Sequence, residues 1–188
     1  MQENKLFMVV LGCKPIGRYT EQHDVFFGIG QSLKSLIPDF YLFWPEAKKQ
    51  IHIDSWREIT YADGFDIKVV EKIAETKSKQ QLFFLNLGGY KPADLEEYHY
   101  KIITVADNTS AAIKKATATA FYQHTGFKGA ESHVDDKYGI DVDDIYAIED
   151  ILPAGLKEKY SLQLTPSEKN KPDELHIGYV KLDKLLKD

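Results

Sequence analysis

The chain carries one eighteen-residue pattern twice. Residues 6–23 and 82–99 align without a gap at an offset of 76 and are identical at six positions. The identical pairs are Leu6/Leu82, Phe7/Phe83, Leu11/Leu87, Gly12/Gly88, Glu21/Glu97 and His23/His99. Self-similarity at a fixed offset is the sequence signature of a repeated structural unit. The pattern therefore predicts that the fold is an internal duplication.

The similarity resumes further along the chain at slightly different offsets. His52-Ile53-Asp54 resembles His133-Val134-Asp135 at an offset of 81, and Asp66-Ile67 resembles Asp144-Ile145 at an offset of 78. We therefore expect His52 and Asp54 to have His133 and Asp135 as their counterparts in the second copy.

Hydrophobic patterning predicts the same order of elements in both copies. Residues 5–12 form a continuous apolar run of strand length, and residues 100–106 contain a β-branched run that disfavours a helix. A helix follows in each copy, with Asn108 among the N-cap candidates of the second and Pro38 expected to kink or restart the first. Each copy thus reads as strand, strand, helix, strand, strand.

These patterns predict an α+β fold: an internal duplication of a β-β-α-β-β unit with pseudo-twofold symmetry, followed by a C-terminal β-hairpin. The expected boundaries are residues 1–76 for the first repeat, 77–152 for the second and 153–188 for the hairpin or arm, with one compact fused domain as the alternative. The hairpin strands are expected at residues 160–164 and 174–182, joined by a polar loop rich in proline and asparagine.

Composition excludes several classes of protein. The 188 residues carry a net charge of −5 and no concentrated basic face, which argues against a nucleic-acid partner. No apolar run approaches the roughly 20 residues of a membrane span, and residues 1–5 do not begin a signal peptide. The one cysteine, Cys13, excludes an intrachain disulfide. We therefore expect a cytoplasmic protein without a membrane partner.

Residues 20–30 and 51–58 carry a recognisable order of charged, aromatic and glycine residues. Together with residues 6–12, these stretches resemble a family of bacterial proteins of about this length, known as domain of unknown function 1543. The family has no established activity, substrate or cofactor to transfer. The resemblance therefore supports the predicted fold and leaves the function open.

The repeated Glu-x-His pairs are the candidate catalytic residues: Glu21 with His23, and Glu97 with His99. On a strand, residues two apart point to the same face. A carboxylate beside an imidazole fixes its tautomer and suits a general base. In the alternative interpretation each histidine is structural and binds a loop carbonyl. If the two copies pack about a twofold axis, the two pairs could converge.

The His-x-Asp pairs give further candidate ligand-binding residues on the next strand. His52 and Asp54 would share a face with Trp56, whose indole could form the floor of a pocket. Arg57 would give that pocket a polar edge. The equivalents in the second copy would be His133 and Asp135. The sequence contains no HExxH, CxxC or facial-triad spacing. With His23 and His99 these pairs could complete a nitrogen and oxygen site for zinc, iron or manganese, but in the absence of such a motif we predict no metal site, and the sequence identifies no cofactor.

The loop after the first strand offers two cations, Lys14 and Arg18, beside glycines. Such a loop could hold a phosphate or carboxylate, although a plain connecting loop is the favoured interpretation. The same cations could activate the thiol of Cys13, but the second copy has Gly89 at that position, which argues against a nucleophile.

Two classes of function remain. The favoured one is a non-catalytic binding or interaction module with a crevice between the two repeats, for which a homodimer is one expected assembly. The alternative is a small hydrolase or isomerase that uses the Glu-x-His pairs at the repeat interface, with or without metal assistance. The sequence does not decide whether the protein is an enzyme.

Overall fold

The computed structural model describes residues 3–48, 50–73, 79–90, 95–124, 141–169 and 171–187. Within these residues the chain has ten strands in three antiparallel sheets and few helices, which confirms the predicted α+β class. It divides into two compact units: unit 1 comprises Met1–Thr76 and Ile151–Asp188, and unit 2 comprises Lys77–Asp150. None of the described helices combines the length and the apolar character that crossing a bilayer requires.

Unit 1 contains most of the elements. Its strands are β1 (Lys5–Cys13), β2 (Gln22–Gly30), β3 (His52–Glu58), β4 (Tyr61–Ala62), β5 (Phe65–Glu71), β9 (Tyr160–Pro166) and β10 (His176–Lys181). Its helices are α1 (Ile37–Phe43), α4 (Ala154–Lys157) and α5 (Leu182–Leu185), with short 3₁₀ helices at Leu33–Leu36 and Pro45–Ala47. Pro38 stands in the first turn of α1, where its missing N–H costs nothing, so the helix restarts there as predicted.

The main sheet of unit 1 has the order β10-β3-β1-β2, and all of its neighbouring strands are antiparallel. The central strand β1 presents Phe7, Val9 and Leu11 to a core that also includes Phe26 and Phe40. These side chains are essentially inaccessible to water, so the apolar run seen in the sequence is the buried centre of the sheet. A second sheet has the order β4-β5-β9.

A β-bulge interrupts the pairing of β3 with β1. Ser55 pairs with Val10 and Ile53 pairs with Leu11, so Asp54 is an extra residue without a partner on β1. The bulge reverses the alternation of side chains beyond it. Trp56, opposite Val9, therefore packs against the core, and the prediction that Trp56 shares a face with His52 is wrong.

The C-terminal strands do not form the predicted hairpin. β9 pairs with β5 in the second sheet, whereas β10 pairs with β3 at the edge of the main sheet. The carboxylate of Asp173 fixes the segment between them: it accepts hydrogen bonds from the backbone N–H groups of Thr60 (2.9 Å) and Tyr61 (3.1 Å) and from Thr60 Oγ1 (2.5 Å). The predicted arm is thus built into both sheets of unit 1.

Unit 2 contains β6 (Gln81–Tyr90), β7 (Glu97–Ala106), α2 (Thr109–His124) and β8 (Asp141–Ala147), and the short helix α3 (Ile148–Ile151) leads back into unit 1. Its sheet has the order β7-β6-β8. The helix α2 begins as predicted, because Asn108 Oδ1 accepts a hydrogen bond from the N–H of Ala111 (3.0 Å). The expected strand at residues 132–137 lies outside the described residues.

The three-strand patterns of the two units share one register. Gly12 pairs with His23 on β2, and Gly88 pairs with His99 on β7. In unit 2 the register of β8 on β6 also skips one residue, Asp143, between Asp144 opposite Asn86 and Val142 opposite Leu87. The bulge therefore falls at the same step of the ladder as in unit 1.

Candidate functional site

A glycine on the central strand of unit 1 lies between two histidines. Gly12 on β1 pairs with His23 on β2 and with His52 on β3. Residues that pair across neighbouring strands point to the same face of a sheet. Both imidazoles therefore stand on the face of Gly12, and the strand pairing alone brings together two side chains that are 29 residues apart in sequence.

Two carboxylates complete this cluster of four side chains. Asp54 places Oδ2 3.3 Å from His23 Nε2 and Oδ1 3.3 Å from His52 Nε2. Glu21 places Oε1 3.1 Å from His52 Nε2 and Oε2 3.8 Å from His23 Nε2. Each carboxylate thus bridges the two imidazoles, with one oxygen facing each. We call Glu21, His23, His52 and Asp54 the unit 1 cluster.

The unit 1 cluster has a buried side and an exposed side. His52 is only 5% exposed and its ring lies 4.3 Å from that of Tyr179, measured between centroids. The side chains of His23 and Glu21 are both 46% exposed. His52 Nε2 and Asp54 Oδ2 are buried, and neither has a hydrogen-bond partner among the described residues. Buried polar atoms without a partner are costly, and in a native protein they call for an explanation.

Gly12 makes room for these two orphaned atoms. A Cβ at this position would overlap His52 Nε2 and stand 2.5 Å from Asp54 Oδ2. The imidazole and the carboxylate therefore occupy the space that any other residue would fill with its side chain. The bulge contributes as well, because it directs the Asp54 carboxylate over the glycine.

The chemistry available to the unit 1 cluster follows from its donors. Two imidazole nitrogens and two carboxylates form a mixed nitrogen and oxygen set, which suits divalent transition metals. The same groups could also exchange protons with a bound molecule on the exposed side. The cluster could thus hold a cation or act as an acid and base.

A related cluster stands over the central glycine of unit 2. His99 Nε2 lies 3.2 Å from Asp143 Oδ2 and 4.0 Å from Glu97 Oε2. We call Glu97, His99 and Asp143 the unit 2 cluster. The residue that pairs with Gly88 on the third strand is Asp141, where unit 1 has His52. Asp141 and Asp143 therefore hold the ladder positions that His52 and Asp54 hold in unit 1. His133 and Asp135, the counterparts expected from the sequence, lie outside the described residues.

The other candidate residues from the sequence, Lys14, Arg18, Trp56 and Arg57, are not members of the unit 1 cluster. Lys14 and Arg18 are exposed in the loop after β1, where Gly17 takes a positive φ of 83°. The indole of Trp56 stacks on the imidazole of His176 with centroids 3.8 Å apart and planes within 9°. Burial lowers the pKa of Arg57, and the negative charge of Asp173 opposes that shift.

Cys13 is fully buried in the core of unit 1. Burial raises the pKa of its thiol, and the negative charge of Glu21 raises it further. A thiol in these surroundings stays protonated at neutral pH, which disfavours a nucleophilic role.

One surface cleft of about 300 Å³ lies at the other end of β1. Four of its charged side chains form ion pairs with one another: Lys5 Nζ contacts Glu58 Oε2 and Lys169 Nζ contacts Asp66 Oδ1, both at 2.8 Å. The cleft includes no member of the unit 1 cluster.

Sequence reasoning missed three parts of this site: the glycine floor, the bulge and Tyr179. The glycine left a signal, since Gly12 and Gly88 are among the identities of the repeat. The bulge left none, because an extra residue in a strand has no fixed sequence signature. Tyr179 reaches His52 through the pairing of β10 with β3, which no local pattern specifies.

Comparison with known proteins places the site within a recognised family segment. Residues 18–69 match the family described as Domain of Unknown Function (DUF1543). This confirms the resemblance seen in the sequence. All four members of the unit 1 cluster lie inside the segment that matches DUF1543.

A solved structure shares the fold. The chain is similar to protein Il1583 from Idiomarina loihiensis, known from a crystal structure, with a TM-score of 0.64 and 22% sequence identity. The match covers 96% of this chain and 98% of that protein, so the likeness extends over both units. No curated protein matches the chain.

Proposed function

We propose that this protein is a metal-binding module in which unit 1 holds one divalent transition metal ion through Glu21, His23, His52 and Asp54. The observation that carries the proposal is the pair of buried atoms, His52 Nε2 and Asp54 Oδ2, which lack hydrogen-bond partners among the described residues. A metal ion would give both atoms a partner at once. The proposal places the ligand within unit 1 and revises the expectation of no metal site.

The spacing of the donors supports this interpretation. Nitrogen and oxygen ligands lie about 2.0–2.2 Å from zinc, so neighbouring donors in a tetrahedral site stand roughly 3.3 Å apart. The four nitrogen–oxygen distances in the unit 1 cluster run from 3.1 to 3.8 Å. The exposed Glu21 and His23 side chains would rotate to bring all four donors around one ion.

A simple ion-pair network explains the cluster less well. A protonated His52 would direct its Nε2–H bond at Glu21 or Asp54, and the contacts would then be charge-assisted hydrogen bonds. In the structure Nε2 forms a hydrogen bond with neither, although both carboxylates are within 3.3 Å. The short nitrogen–oxygen contacts are therefore not hydrogen bonds, and a shared cation would account for them.

The donor set favours metals of borderline softness, such as Zn²⁺, Fe²⁺ or Co²⁺. Imidazole suits these ions, whereas Mg²⁺ and Ca²⁺ prefer all-oxygen sites. The net charge of −5 is also compatible with a cationic ligand.

The internal duplication belongs to the same proposal. We infer that units 1 and 2 arose by copying of one β-β-α-β ancestor with a glycine at the centre of its first strand's cluster face. The strand pairing supports this inference. The β1–β2 and β6–β7 pairs have the same register at an offset of 76, and β3 and β8 each have a bulge at the equivalent position.

The half-exposed side of the unit 1 cluster favours a second candidate, a metal-assisted hydrolase or isomerase. A catalytic metal keeps one position open to water or substrate. His23 and Glu21 are exposed enough to leave such a position accessible. Turnover of 4-nitrophenyl acetate by the zinc-loaded protein that disappears in Glu21→Gln would support this candidate, and equal turnover by the two proteins would reject it.

The test of the proposed function is a metal titration of the chelator-treated full chain. Calorimetry with ZnCl₂ should give a saturable high-affinity site that His52→Ala abolishes. The control is His176→Ala, which changes a histidine of the same unit outside the cluster and should retain that site. Zinc should also raise the melting temperature of the wild type and not that of His52→Ala. Failure of the wild type to bind zinc, or equal binding by the His52→Ala protein, would refute the proposal.

A further inference from the structure

We propose that the unit 2 cluster is a second cation site, and that it selects a harder ion than unit 1 because it contains one imidazole where the unit 1 cluster contains two. The ion would be of the Mn²⁺ class. This inference rests on the proposed function of unit 1 and extends it to residues outside that site.

The first support is geometric. Glu97, His99 and Asp143 each offer a ligand atom, and these three atoms all lie within 4.8 Å of one another. Two donors that each lie about 2.2 Å from one ion can be at most about 4.4 Å apart, so the contacts of His99 Nε2 with Asp143 Oδ2 (3.2 Å) and Glu97 Oε2 (4.0 Å) are short enough to share an ion. The side chains are accessible, with 40% of His99 and 29% of Asp143 exposed, so an ion could enter from solvent.

The second support is the cradle beneath the unit 2 cluster. A Cβ on Gly88 would stand 2.5 Å from Asp143 Oδ2 and 2.9 Å from Glu97 Oε1. Both carboxylates therefore fold inward over the sheet, into space that exists only because residue 88 is a glycine. Carboxylates that served only to solvate the surface would gain more by extending into water.

The third support is the bulge that carries Asp143. The ladder of β8 on β6 skips Asp143 in the way that the ladder of β3 on β1 skips Asp54. In each unit, a bulge thus brings the acidic side chain over the glycine of the central strand. In unit 1 the bulge places the Asp54 carboxylate beside His52 Nε2, which is buried and has no hydrogen-bond partner among the described residues. Unit 2 thus repeats the local geometry on which the proposed unit 1 site depends.

The difference in selectivity follows from the number of imidazoles in the two clusters. The unit 1 cluster contains two imidazoles and two carboxylates, whereas the unit 2 cluster contains one imidazole and two carboxylates. Carboxylate-rich sets suit Mn²⁺, and additional imidazole favours Zn²⁺.

The experiment measures Mn²⁺ and Zn²⁺ binding to the full chain by equilibrium dialysis, with Mn²⁺ also followed by electron paramagnetic resonance. We expect His99→Ala to remove Mn²⁺ binding and to leave one Zn²⁺ bound at unit 1. Retained Mn²⁺ binding in His99→Ala would overturn the inference. A far-ultraviolet circular dichroism spectrum like that of the wild type shows that the variant is folded.

Two exchange variants test the selectivity. His52→Asp should lower the Zn²⁺ affinity of unit 1 at least about tenfold, and Asp143→His should raise that of unit 2 by a similar factor. Unchanged Zn²⁺ affinities in both variants would overturn the role assigned to the number of imidazoles. The two proposals fail separately, because loss of Zn²⁺ binding in the wild type refutes the unit 1 site, and Zn²⁺ binding without Mn²⁺ binding refutes only the unit 2 site.

Discussion

Asp54 and Asp143 hold the same place in their sheets: each is the extra residue of a bulge on the third strand. The carboxylate of each lies over a glycine of the central strand, with Oδ2 2.5 Å from where that glycine's Cβ would be. A regular strand would have no such extra residue at this step of the ladder. The bulge and the glycine therefore work together to bring acidic groups to the imidazoles.

Gly12→Ala should impair metal binding more than it impairs folding. The new Cβ would overlap His52 Nε2 and crowd Asp54 Oδ2, so these side chains must move away from their shared position. Because the displaced atoms are side-chain ends, we expect the apo protein to fold with a similar melting temperature. Calorimetric affinity for Zn²⁺ should fall more than about tenfold.

The matched control for Gly12→Ala is Gly155→Ala. A Cβ on Gly155 meets no described heavy atom within 4 Å, so this substitution should leave both folding and Zn²⁺ affinity unchanged. Wild-type Zn²⁺ affinity in Gly12→Ala would show that the space over this glycine is not needed for the ion.

Cys13 should be inert in the native protein. Its side chain is inaccessible to solvent, and burial followed by the charge of Glu21 raises the pKa of the thiol. We expect a thiol reagent at pH 8 to label native protein at least about tenfold more slowly than protein unfolded in urea. Equal rates in the two states would mean that the β1 core opens readily.

Asp173→Ala should destabilise unit 1. The Asp173 carboxylate accepts three hydrogen bonds from Thr60 and Tyr61, and its removal leaves these donors unpaired. Loss of buried or half-buried partners of this kind costs about 1–3 kcal/mol in the free energy of unfolding. Urea denaturation measures the change, and the exposed neighbour variant Glu174→Ala should cost little. The anchoring role fails if the two variants unfold at the same urea concentration.

The ion pair of Asp66 with Lys169 should make stability depend on acid pH. The hydrogen bond from Lys169 lowers the pKa of Asp66 below its ordinary value of 3.8. A carboxyl whose pKa is lower when folded stabilises the protein above its unfolded pKa, and this contribution is lost as pH falls through the folded value. The stability advantage of the wild type over Asp66→Asn should therefore be present at pH 7 and vanish in strong acid. A constant difference across that range would contradict the assignment.

Local patterns predicted much of the fold. The apolar run of β1 and the β-branched run of β7 identified buried strands, and the gapless repeat placed Gly12 and Gly88 at equivalent positions before their pairing was known. The Glu-x-His and His-x-Asp spacings correctly indicated side chains that share a face, because Glu21, His23, His52 and Asp54 do meet.

Other features depend on tertiary pairing that local sequence does not encode. The C-terminal strands β9 and β10 look like a hairpin in sequence, but β5 and β3 offer them open edges instead. The ladder positions of His52 and Asp54 are held in unit 2 by Asp141 and Asp143, because the offset between the units grows from 76 to 89 before the third strand, whereas His133 and Asp135 lie outside the described residues. Trp56 was assigned to the wrong face because one bulged residue reverses the alternation.

The most direct test of the unit 1 site is nuclear magnetic resonance of the histidine side-chain nitrogens during addition of Zn²⁺ to the apo protein. Metal binding through Nε2 of His23 and His52 predicts large shifts of these two nitrogens by the first equivalent, with His176 unchanged. If the Nε2 signals of His23 and His52 stay in place while zinc is added, unit 1 does not bind metal through these histidines.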